Sequence, residues 1–329
     1  MRPVCAAAPI AASSHREPRR GRGSDLVLVT SAAGPDGCPM SQDPREEPAA
    51  TVAVERREGH SWEGVSVAAA RYEQDLVPAL FEPWADVLVD LADLGPGDRV
   101  LDLACGTGVV ARAAARRVMP DGHVCGLDVN ENMLAIARTI RGDIEWRRTD
   151  ASRTDLPDAS FDAAFCQQGL QFFPDRPAAL RELHCVLAPG GRAVVATWCA
   201  ADDGDAGYGP ITEALQRHRP DDHDPIGFIA AIFGLSDGTE VARLAEAAGF
   251  DDVCVERRTG TVRFPSAEAW VEAFLGAAPV PSVSSLAPAT MAAIIADAAS
   301  ALQPYVDPTG LAFPLHTNIV LCRVHRASF

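Results

Sequence analysis

The sequence contains no lysine, and all 29 of its basic residues are arginine. This absence excludes the Schiff-base lysine of pyridoxal phosphate or carbonyl chemistry. It also excludes a P-loop, in which a lysine reaches the nucleotide phosphates. Acidic residues number 45 and give a formal net charge of -16. Because nucleic acids and anionic membranes attract clustered positive charge, neither is an expected partner.

Long apolar runs are missing as well. No stretch approaches the roughly 20 apolar residues of a membrane helix, so we expect no membrane span. The nine cysteines form no C-x-x-C pair, and several stand inside apolar runs. Buried free thiols in a reducing compartment explain this pattern better than disulfides or a zinc site do. We therefore predict a cytoplasmic protein.

The chain divides into three parts by composition. Residues 1–50 mix arginine with Pro, Gly, Ser and Ala, and they cannot bury enough apolar area to offset their ordering entropy, which predicts a disordered tail. Residues 51–94 carry apolar side chains near helical spacing, with expected breaks at Pro78 and Pro83. Residues 95–329 form the main domain, with helical insertions predicted at about 201–238 and 267–308.

Short apolar runs alternate with helical patterns after Gly97. Helices are predicted between the strands, and the five strands are expected at 99–104, 123–128, 144–149, 161–166 and 192–197. This alternation is typical of a parallel sheet that has helices on both faces. Ligands of such sheets bind at the carboxyl ends of the strands.

One glycine-rich turn falls between the first strand and the first helix. Gly106 and Gly108 allow a tight turn there and let a ligand approach the backbone at the positive end of a helix. Asp128 follows 22 positions after Gly106, at the end of the second strand. A carboxylate in that position suits a pair of ribose hydroxyls, so the spacing predicts an adenosine-containing ligand.

The identity of that ligand depends on Asp102. The run from Gly106 to Ala111 also fits the dinucleotide fingerprint G-x-G-x-x-A. A carboxylate at Asp102 would repel a pyrophosphate, whereas it would attract the ammonium of S-adenosylmethionine. Alternatively, Asp102 only ties the loop together through hydrogen bonds.

The segment Val100-Leu-Asp-Leu-Ala-Cys-Gly-Thr-Gly108 resembles the first motif of class I S-adenosylmethionine-dependent methyltransferases. Within that class it is closest to the small-molecule group of the ubiquinone/menaquinone biosynthesis type. Four further segments match in order, namely Gly126-Leu-Asp-Val-Asn130, Thr149-Asp-Ala151, Ser160-Phe-Asp162 with Cys166-Gln-Gln-Gly169, and Leu187-Ala-Pro-Gly-Gly191. Ala104 is a departure, because the family often has glycine there.

The resemblance implies a fold and an activity. The fold is a Rossmann-like, doubly wound, seven-stranded sheet with the last strand antiparallel, in which 253–264 and 317–324 supply the last two strands. Residues 51–94 would then be an N-terminal helical lid over the cofactor. The activity is methyl transfer from S-adenosylmethionine to an oxygen, nitrogen or carbon atom of a small molecule.

The resemblance also implies where each part of the cofactor lies. Gly106 and Gly108 leave room for its methionine end, where Asp102 orients the ammonium, and Asp128 binds the ribose. At the adenine, packing comes from Val129 or Met133, and hydrogen bonds come from Asp150 and Ala151. The full set implied is Asp102, Ala104, Gly106, Gly108, Asp128, Val129, Met133, Asp150, Ala151, Cys166 and Gln167.

The acceptor pocket must come from outside the shared motifs, which specify the cofactor only. The N-terminal helices and the two insertions are the candidate parts, with Gln168 and Gln171 as polar contacts. An apolar or aromatic acceptor is expected if the pocket is lined by Trp270, Phe274, Met291, Ile294, Ile295 and Leu302. These side chains are equally suited to packing the helices onto the sheet.

No catalytic base stands out in the sequence. His60, His184 and His316 are candidates by position, although His184 lies beside an apolar helix stripe and is better explained by packing. The run His218 to Asp224 holds two histidines and three carboxylates, but its flanking prolines favour a solvated loop over a metal site. Two other functions remain open, a nicotinamide-dependent oxidoreductase and a non-catalytic cofactor-binding domain.

Overall fold

The computed structural model describes residues 66–200, 206–278 and 281–325, together with Leu26 and Val27. Apart from those two residues, the tail predicted at 1–50 lies outside the described residues, and so does the first part of the predicted lid, 51–65. None of the described helices has both the length and the apolar character needed to cross a membrane.

The described residues form one sheet of nine strands. The strands are β1 (Leu26–Val27), β2 (Arg99–Leu103), β3 (His123–Asp128), β4 (Glu145–Arg148), β5 (Phe161–Gln167), β6 (Leu187–Trp198), β7 (Asp251–Phe264), β8 (Val306–Asp307) and β9 (Gly310–Arg323).

Eleven α-helices occur among the described residues. They are α1 (Ser66–Arg71), α2 (Glu82–Leu91), α3 (Val109–Val118), α4 (Glu131–Ile140), α5 (Arg176–Val186), α6 (Gly209–His218), α7 (Asp224–Ile232), α8 (Gly238–Ala247), α9 (Ala267–Ala277), α10 (Pro281–Ser284) and α11 (Pro288–Ala301). A π-helical stretch (Tyr72–Phe81) joins α1 to α2, and 3₁₀ turns span Leu170–Phe172 and Gln303–Tyr305.

The order of the strands confirms the predicted fold. The sheet runs β1-β7-β9-β6-β5-β2-β3-β4, with β8 paired to β9 beside this path. Strands β2 to β6 pair in parallel, whereas β9 is antiparallel to both of its neighbours, β6 and β7. The sheet is therefore the doubly wound, seven-stranded sheet with an antiparallel last strand, to which two strands of two residues are added.

Both faces of the sheet are covered, as the apolar strands predict. Neighbouring residues of one strand belong to two different clusters: Val100 is buried in one, and Leu101 is buried in the other. The same division separates Ala163 from Ala164 on β5. This double burial fixes the register of the central strands, since a shift by one residue would exchange the two faces.

Asparagine and aspartate caps begin several of the helices that follow strands. The side chain of Asn130 accepts a hydrogen bond from the Asn132 N–H at 3.0 Å, so Asn130 is the N-cap of α4. Asp175 caps α5 in the same way through the Ala178 N–H at 2.8 Å. These caps satisfy helix N–H groups that would otherwise have no partner at the edge of the sheet.

Two expectations about element boundaries are wrong. The helix breaks expected at Pro78 and Pro83 do not occur, and the chain stays helical from Ser66 to Leu91. Pro78 lies inside the π-helical stretch, and Pro83 falls in the first turn of α2. A proline is tolerated in a first turn, since its missing N–H would have no helical partner there. Strand β6 begins at Leu187, before the Gly190 turn rather than after it, and the Gly190 N–H donates to the Val324 carbonyl at 3.0 Å.

Candidate active site

A large cavity opens at the carboxyl ends of β2, β3 and β5. Its empty space is about 1380 Å³, part of which opens to solvent. The loops after the strands line one side of the cavity, and helical segments line the other. The cavity therefore joins two walls of different construction, a strand-loop side and a helical side.

Asp128 lies on the strand-loop side and joins two of its loops. One carboxylate oxygen accepts a hydrogen bond from the Gly106 N–H, and the other accepts one from the Asn130 N–H, both at 2.8 Å. Burial raises the pKa of this carboxyl, while the backbone N–H groups of Asn130 and Gly106 lower it. A carboxylate has about four lone-pair sites, so Asp128 retains acceptors for a pair of hydroxyls in the cavity.

The two glycines of the turn have different neighbours. Gly106 (φ +55°) lines the cavity, and among the described residues a Cβ built on it would have only the Tyr72 side chain within 4 Å, at 3.9 Å. Gly108 (φ +87°) is the N-cap of α3, and a Cβ there would overlap the ring of Trp146. The same ring covers Gly126 on β3. Gly106 thus leaves space for a ligand, whereas the space at Gly108 is filled by Trp146.

Asp102 lies beneath the loop and does not line the cavity. Its side chain is 1% exposed, and its Oδ2 accepts a hydrogen bond from the Ala111 N–H at 2.8 Å. Burial and the nearby Asp128 together raise the pKa of this carboxyl to about 7, although the Ala111 N–H opposes the rise. The hydrogen bond from Ala111 is the interaction expected if Asp102 ties the loop together. A contact between Asp102 and a ligand ammonium stays a prediction.

Two non-glycine residues take left-handed backbone conformations at the edge of the cavity. Ala104, after β2, and Gln168, after β5, both have φ +55°. A Cβ built on Gly169 would lie 2.6 Å from the Ala104 methyl group, so these two loops touch closely. Such strained backbone costs of order 1–3 kcal/mol and clusters at functional sites. The alanine that departs from the family pattern therefore stands at a strained position.

The far end of the strand-loop side combines apolar and acidic groups. Val129 lines the cavity with 50% of its surface exposed, and the buried side chain of Met133 lies nearby. Asp150 Oδ1 accepts hydrogen bonds from the Ser152 hydroxyl and N–H, both at 2.7 Å. These bonds lower the pKa of Asp150, so its carboxylate is ionised and can accept a further donor.

The end of β5 connects the sheet to the helical side. Gln167 lines the cavity, and its Nε2 donates to the Phe81 carbonyl at 2.9 Å. Cys166 lies behind it with 1% exposure, and burial raises the pKa of its thiol to about 12. A thiol with so high a pKa is not a nucleophile near neutral pH.

Eight of the eleven cofactor residues expected from the sequence line this one cavity. They are Ala104, Gly106, Asp128, Val129, Met133, Asp150, Ala151 and Gln167. Asp102, Gly108 and Cys166 stand behind the lining. The roles assigned to all eleven stay predictions.

The helical side of the cavity is apolar and aromatic. Its main lining residues are Leu76, Leu80, Phe81, Phe172, Trp198, Tyr208, Phe228, Ile232 and Phe274. Of the six side chains nominated from the 267–308 insertion, Phe274 alone lines this cavity. Trp270, Ile294 and Leu302 are buried in the core, which is the packing alternative.

Sequence reasoning missed the individual aromatic residues of the 201–238 connection. Tyr208 meets the Phe274 ring edge-on at 5.3 Å, and Phe228 stacks on Phe172 at 6.4 Å between ring centroids. Phe228 and Ile232 are four residues apart on α7, so both fall on the face that lines the cavity. This four-residue spacing was the sequence signal that could have placed both residues on one helix face.

Neither His184 nor His316 lines the cavity. His184 meets the Phe250 ring edge-on at 5.1 Å, which confirms its predicted packing role. His316 Nδ1 and Thr259 Oγ1 lie 2.7 Å apart on the exposed pairing of β7 with β9. His60 lies outside the described residues.

The run from His218 to Asp224 is held by polar side-chain contacts. His218 Nε2 lies 2.7 Å from Asp297 Oδ2 on α11, and Arg219 pairs with Asp222 at 3.0 Å. Within the described ranges, no group of three or more His, Cys, Asp or Glu side chains is arranged to hold a metal ion.

Residues 100–191 match the family of methyltransferase domains, which confirms the resemblance found in the motifs. The chain is 37% identical over 144 residues to the 2-phytyl-1,4-naphthoquinone methyltransferase of Synechococcus elongatus, covering 41% of this chain and 58% of that protein. It is 36% identical over 118 residues to the ubiquinone/menaquinone biosynthesis C-methyltransferase UbiE of Teredinibacter turnerae, covering 34% and 47%. The chain thus spans about half the length of these curated relatives.

Two solved structures share the fold. The phosphoethanolamine N-methyltransferase 2 of Haemonchus contortus aligns with a TM-score of 0.52 and 16% identity, over 81% of this chain and 60% of that one. The YcgJ protein of Bacillus subtilis aligns with a TM-score of 0.50 and 17% identity, over 74% and 98%. At these identities the likeness extends to the fold alone.

Proposed function

We propose, from the premise that residues 100–191 are a methyltransferase domain, that this protein transfers a methyl group from S-adenosylmethionine to a small molecule. The observation that carries the proposal is Asp128, whose carboxylate is held by two backbone N–H groups at the strand-loop side of the cavity. The bound cofactor would supply an activated sulfonium methyl group.

The residues present fit that cofactor. In this proposal Asp128 binds the ribose hydroxyls, Val129 and Met133 pack on the adenine, and Asp150 with the Ala151 N–H meets the adenine edge. The open space at Gly106 receives the methionine end. Asp102 acts from behind the loop, where it fixes the Ala111 N–H at 2.8 Å. An ionised Asp102 would also favour a cationic ligand over a pyrophosphate, which disfavours the oxidoreductase alternative.

The acceptor is an apolar, ring-bearing small molecule in this proposal. The aromatic lining of the helical side supports it, because apolar walls with few polar groups suit such ligands. Two of the relatives are named for quinone methylation. The chain's part in catalysis is to align the acceptor with the methyl group and to exclude water. The free thiols of the described cysteines agree with a reducing, cytoplasmic location.

A calorimetric titration with S-adenosylmethionine, S-adenosylhomocysteine and NADH tests the cofactor. We expect both sulfur nucleosides to bind and NADH not to bind. Transfer of a radiolabelled methyl group to a panel of quinols, phenols and amines then tests the activity. Binding of NADH alone would contradict the proposal, and tight binding of the nucleosides without transfer to any of the panel would favour a non-catalytic domain.

A further inference from the structure

We propose that the side-chain amide of Gln171 binds and orients the methyl acceptor through an uncharged oxygen group. This assignment rests on the proposed function, and it concerns the half of the cavity that the cofactor motifs do not describe. Gln171 lines the cavity on the 3₁₀ turn Leu170–Phe172, directly after β5. It therefore stands at the carboxyl edge of the sheet, where ligands of this fold class bind.

The amide of Gln171 is buried without a hydrogen-bond partner in the part of the chain that the structure describes. Its side chain is 5% exposed, and neither its Nε2 nor its Oε1 has a hydrogen-bond partner among the residues that the structure describes. Burying an amide without hydrogen bonds is unfavourable, so buried polar groups without partners are rare and call for an explanation. A ligand that supplies both a donor and an acceptor explains this one.

Two neighbouring glutamines provide the comparison. Gln167 Nε2 donates to the Phe81 carbonyl at 2.9 Å, and Gln168 Nε2 donates to Thr317 Oγ1 at 3.1 Å. Both side chains therefore hold parts of the protein together, and each leaves only its Oε1 without a partner in the described part of the chain. Of the three, Gln171 alone leaves both ends of its amide for a ligand.

The backbone of Gln171 is fixed although its amide is not. Arg176 Nη2 donates to the Gln171 carbonyl at 2.9 Å and lies 3.4 Å from the Gly234 carbonyl. Leu170 anchors the same turn with 1% exposure. A fixed backbone holds the base of this side chain at the cavity, which limits the ordering that a ligand must impose when it binds.

The surroundings define the chemistry that Gln171 recognises. Phe172 and Phe228 stack beside it, and Phe274 lies 6.3 Å from Phe228 between ring centroids. Within the described part of the chain, the Gln171 amide adds one unpaired acceptor and one unpaired amino group to this apolar wall. A ring that carries hydroxyl groups matches this set, because each hydroxyl donates one hydrogen bond and accepts others.

The test uses Gln171→Leu, which keeps the size of the side chain and removes both polar atoms. Dissociation constants are measured by calorimetry on the complex with S-adenosylhomocysteine, using 1,4-dihydroxynaphthalene and naphthalene as probes. We expect the variant to bind the dihydroxy probe about tenfold more weakly, with naphthalene binding unchanged. Because the variant buries no unpaired amide, its midpoint of urea unfolding should stay the same or rise.

Gln168→Leu is the matched control in the same cavity. It breaks the bond to Thr317, so its unfolding midpoint should fall, which separates a structural glutamine from a ligand-binding one. Equal affinity of wild type and Gln171→Leu for the dihydroxy probe would overturn the proposal, as would a fall in the unfolding midpoint of Gln171→Leu. If wild type binds S-adenosylhomocysteine but neither ring, the assignment of Gln171 is wrong and the cofactor site stands. If S-adenosylhomocysteine fails to bind, the proposed function itself is wrong.

Discussion

The two sides of the cavity are built in opposite ways. The strand-loop side is made of short-range backbone geometry, in which Gly106, Asp128 and Asn130 are joined by hydrogen bonds of 2.8 Å. The helical side is made of aromatic rings from α7, α9 and the Leu170–Phe172 turn, which lie far apart in the chain. Ligand binding at the strand-loop side should depend on a few atoms in fixed positions. Binding at the helical side should depend on the volume and the apolar area that the rings provide. Substitutions should therefore act locally and strongly on the first side and more gradually on the second.

Gly108→Ala should have the largest effect, because it breaks the packing behind the strand-loop side. The residue has φ +87°, and its new Cβ would overlap the Trp146 ring. We expect the free energy of unfolding to fall by about 2–4 kcal/mol, measured by urea denaturation. Gly95→Ala is the matched control, since nothing lies within 4 Å of a Cβ there. Equal stability of the two variants would show that Trp146 moves away without cost.

Asp128→Ala should disable the strand-loop side and leave the helical side intact. Removing the carboxylate takes away the proposed ribose contact and leaves the N–H groups of Gly106 and Asn130 unpaired. We expect the affinity for S-adenosylhomocysteine to fall by about 1–3 kcal/mol in a calorimetric titration. The exposed Asp143→Ala should bind as wild type does. Unchanged affinity of the Asp128 variant would place the ribose elsewhere.

The pH dependence of stability should reveal the raised pKa of Asp102. Its pKa of about 7 lies above the ordinary value of 3.8, so the folded protein holds this proton more tightly than the unfolded chain does. Stability should therefore fall as the pH rises from about 4 to about 7, by at most ~1.4 kcal/mol per pH unit from this group. Asp102→Asn retains an oxygen for the Ala111 N–H and removes the titration.

Urea unfolding of wild type and Asp102→Asn at pH 5, 6 and 7 measures this effect. At each step from pH 5 to pH 7, the free energy of unfolding of Asp102→Asn should rise relative to that of wild type. Parallel pH curves would mean that Asp102 titrates normally. Cofactor affinity in the same variants separates its two roles, because a group that only ties the loop should leave that affinity unchanged between pH 6 and 8.

Phe228→Leu should have the smallest effect, and it tests the helical side. The substitution removes the stacking on Phe172 and Phe274 while it preserves apolar character. We expect about 0.5–1.5 kcal/mol of weaker binding for 1,4-dihydroxynaphthalene, with unchanged affinity for S-adenosylhomocysteine. Equal losses for both ligands would show that the two sides are not separate.

The strand-loop side could be predicted from the sequence because its signals are local. Gly106 and Asp128 occur at fixed distances from apolar runs that form strands, so their meeting follows from the parallel sheet. Trp146 could not be assigned to Gly108 and Gly126, since that contact depends on how β4 packs beside β3. Ala104 could be seen as a departure from a pattern, but its left-handed backbone could not.

The helical side was less accessible to sequence reasoning for a physical reason. An aromatic residue on an amphipathic helix has the same pattern whether it faces a cavity or the core. Trp270 and Phe274 stand four residues apart on α9, yet only Phe274 reaches the cavity. The difference depends on tertiary packing, because Trp270 Nε1 donates to the Gly207 carbonyl at 2.8 Å inside the core.

The π-helical stretch Tyr72–Phe81 contributes to both walls of the cavity. Tyr72 lies beside Gly106, while Leu76 and Leu80 face the aromatic side. Glu73 anchors the stretch to α3 through an ion pair with Arg112 at 2.9 Å. Because this single element lines both walls, we expect a ligand bound at one wall to change the affinity for a ligand at the other. The factor by which the nucleoside tightens the second ligand must then equal the factor by which the second ligand tightens the nucleoside.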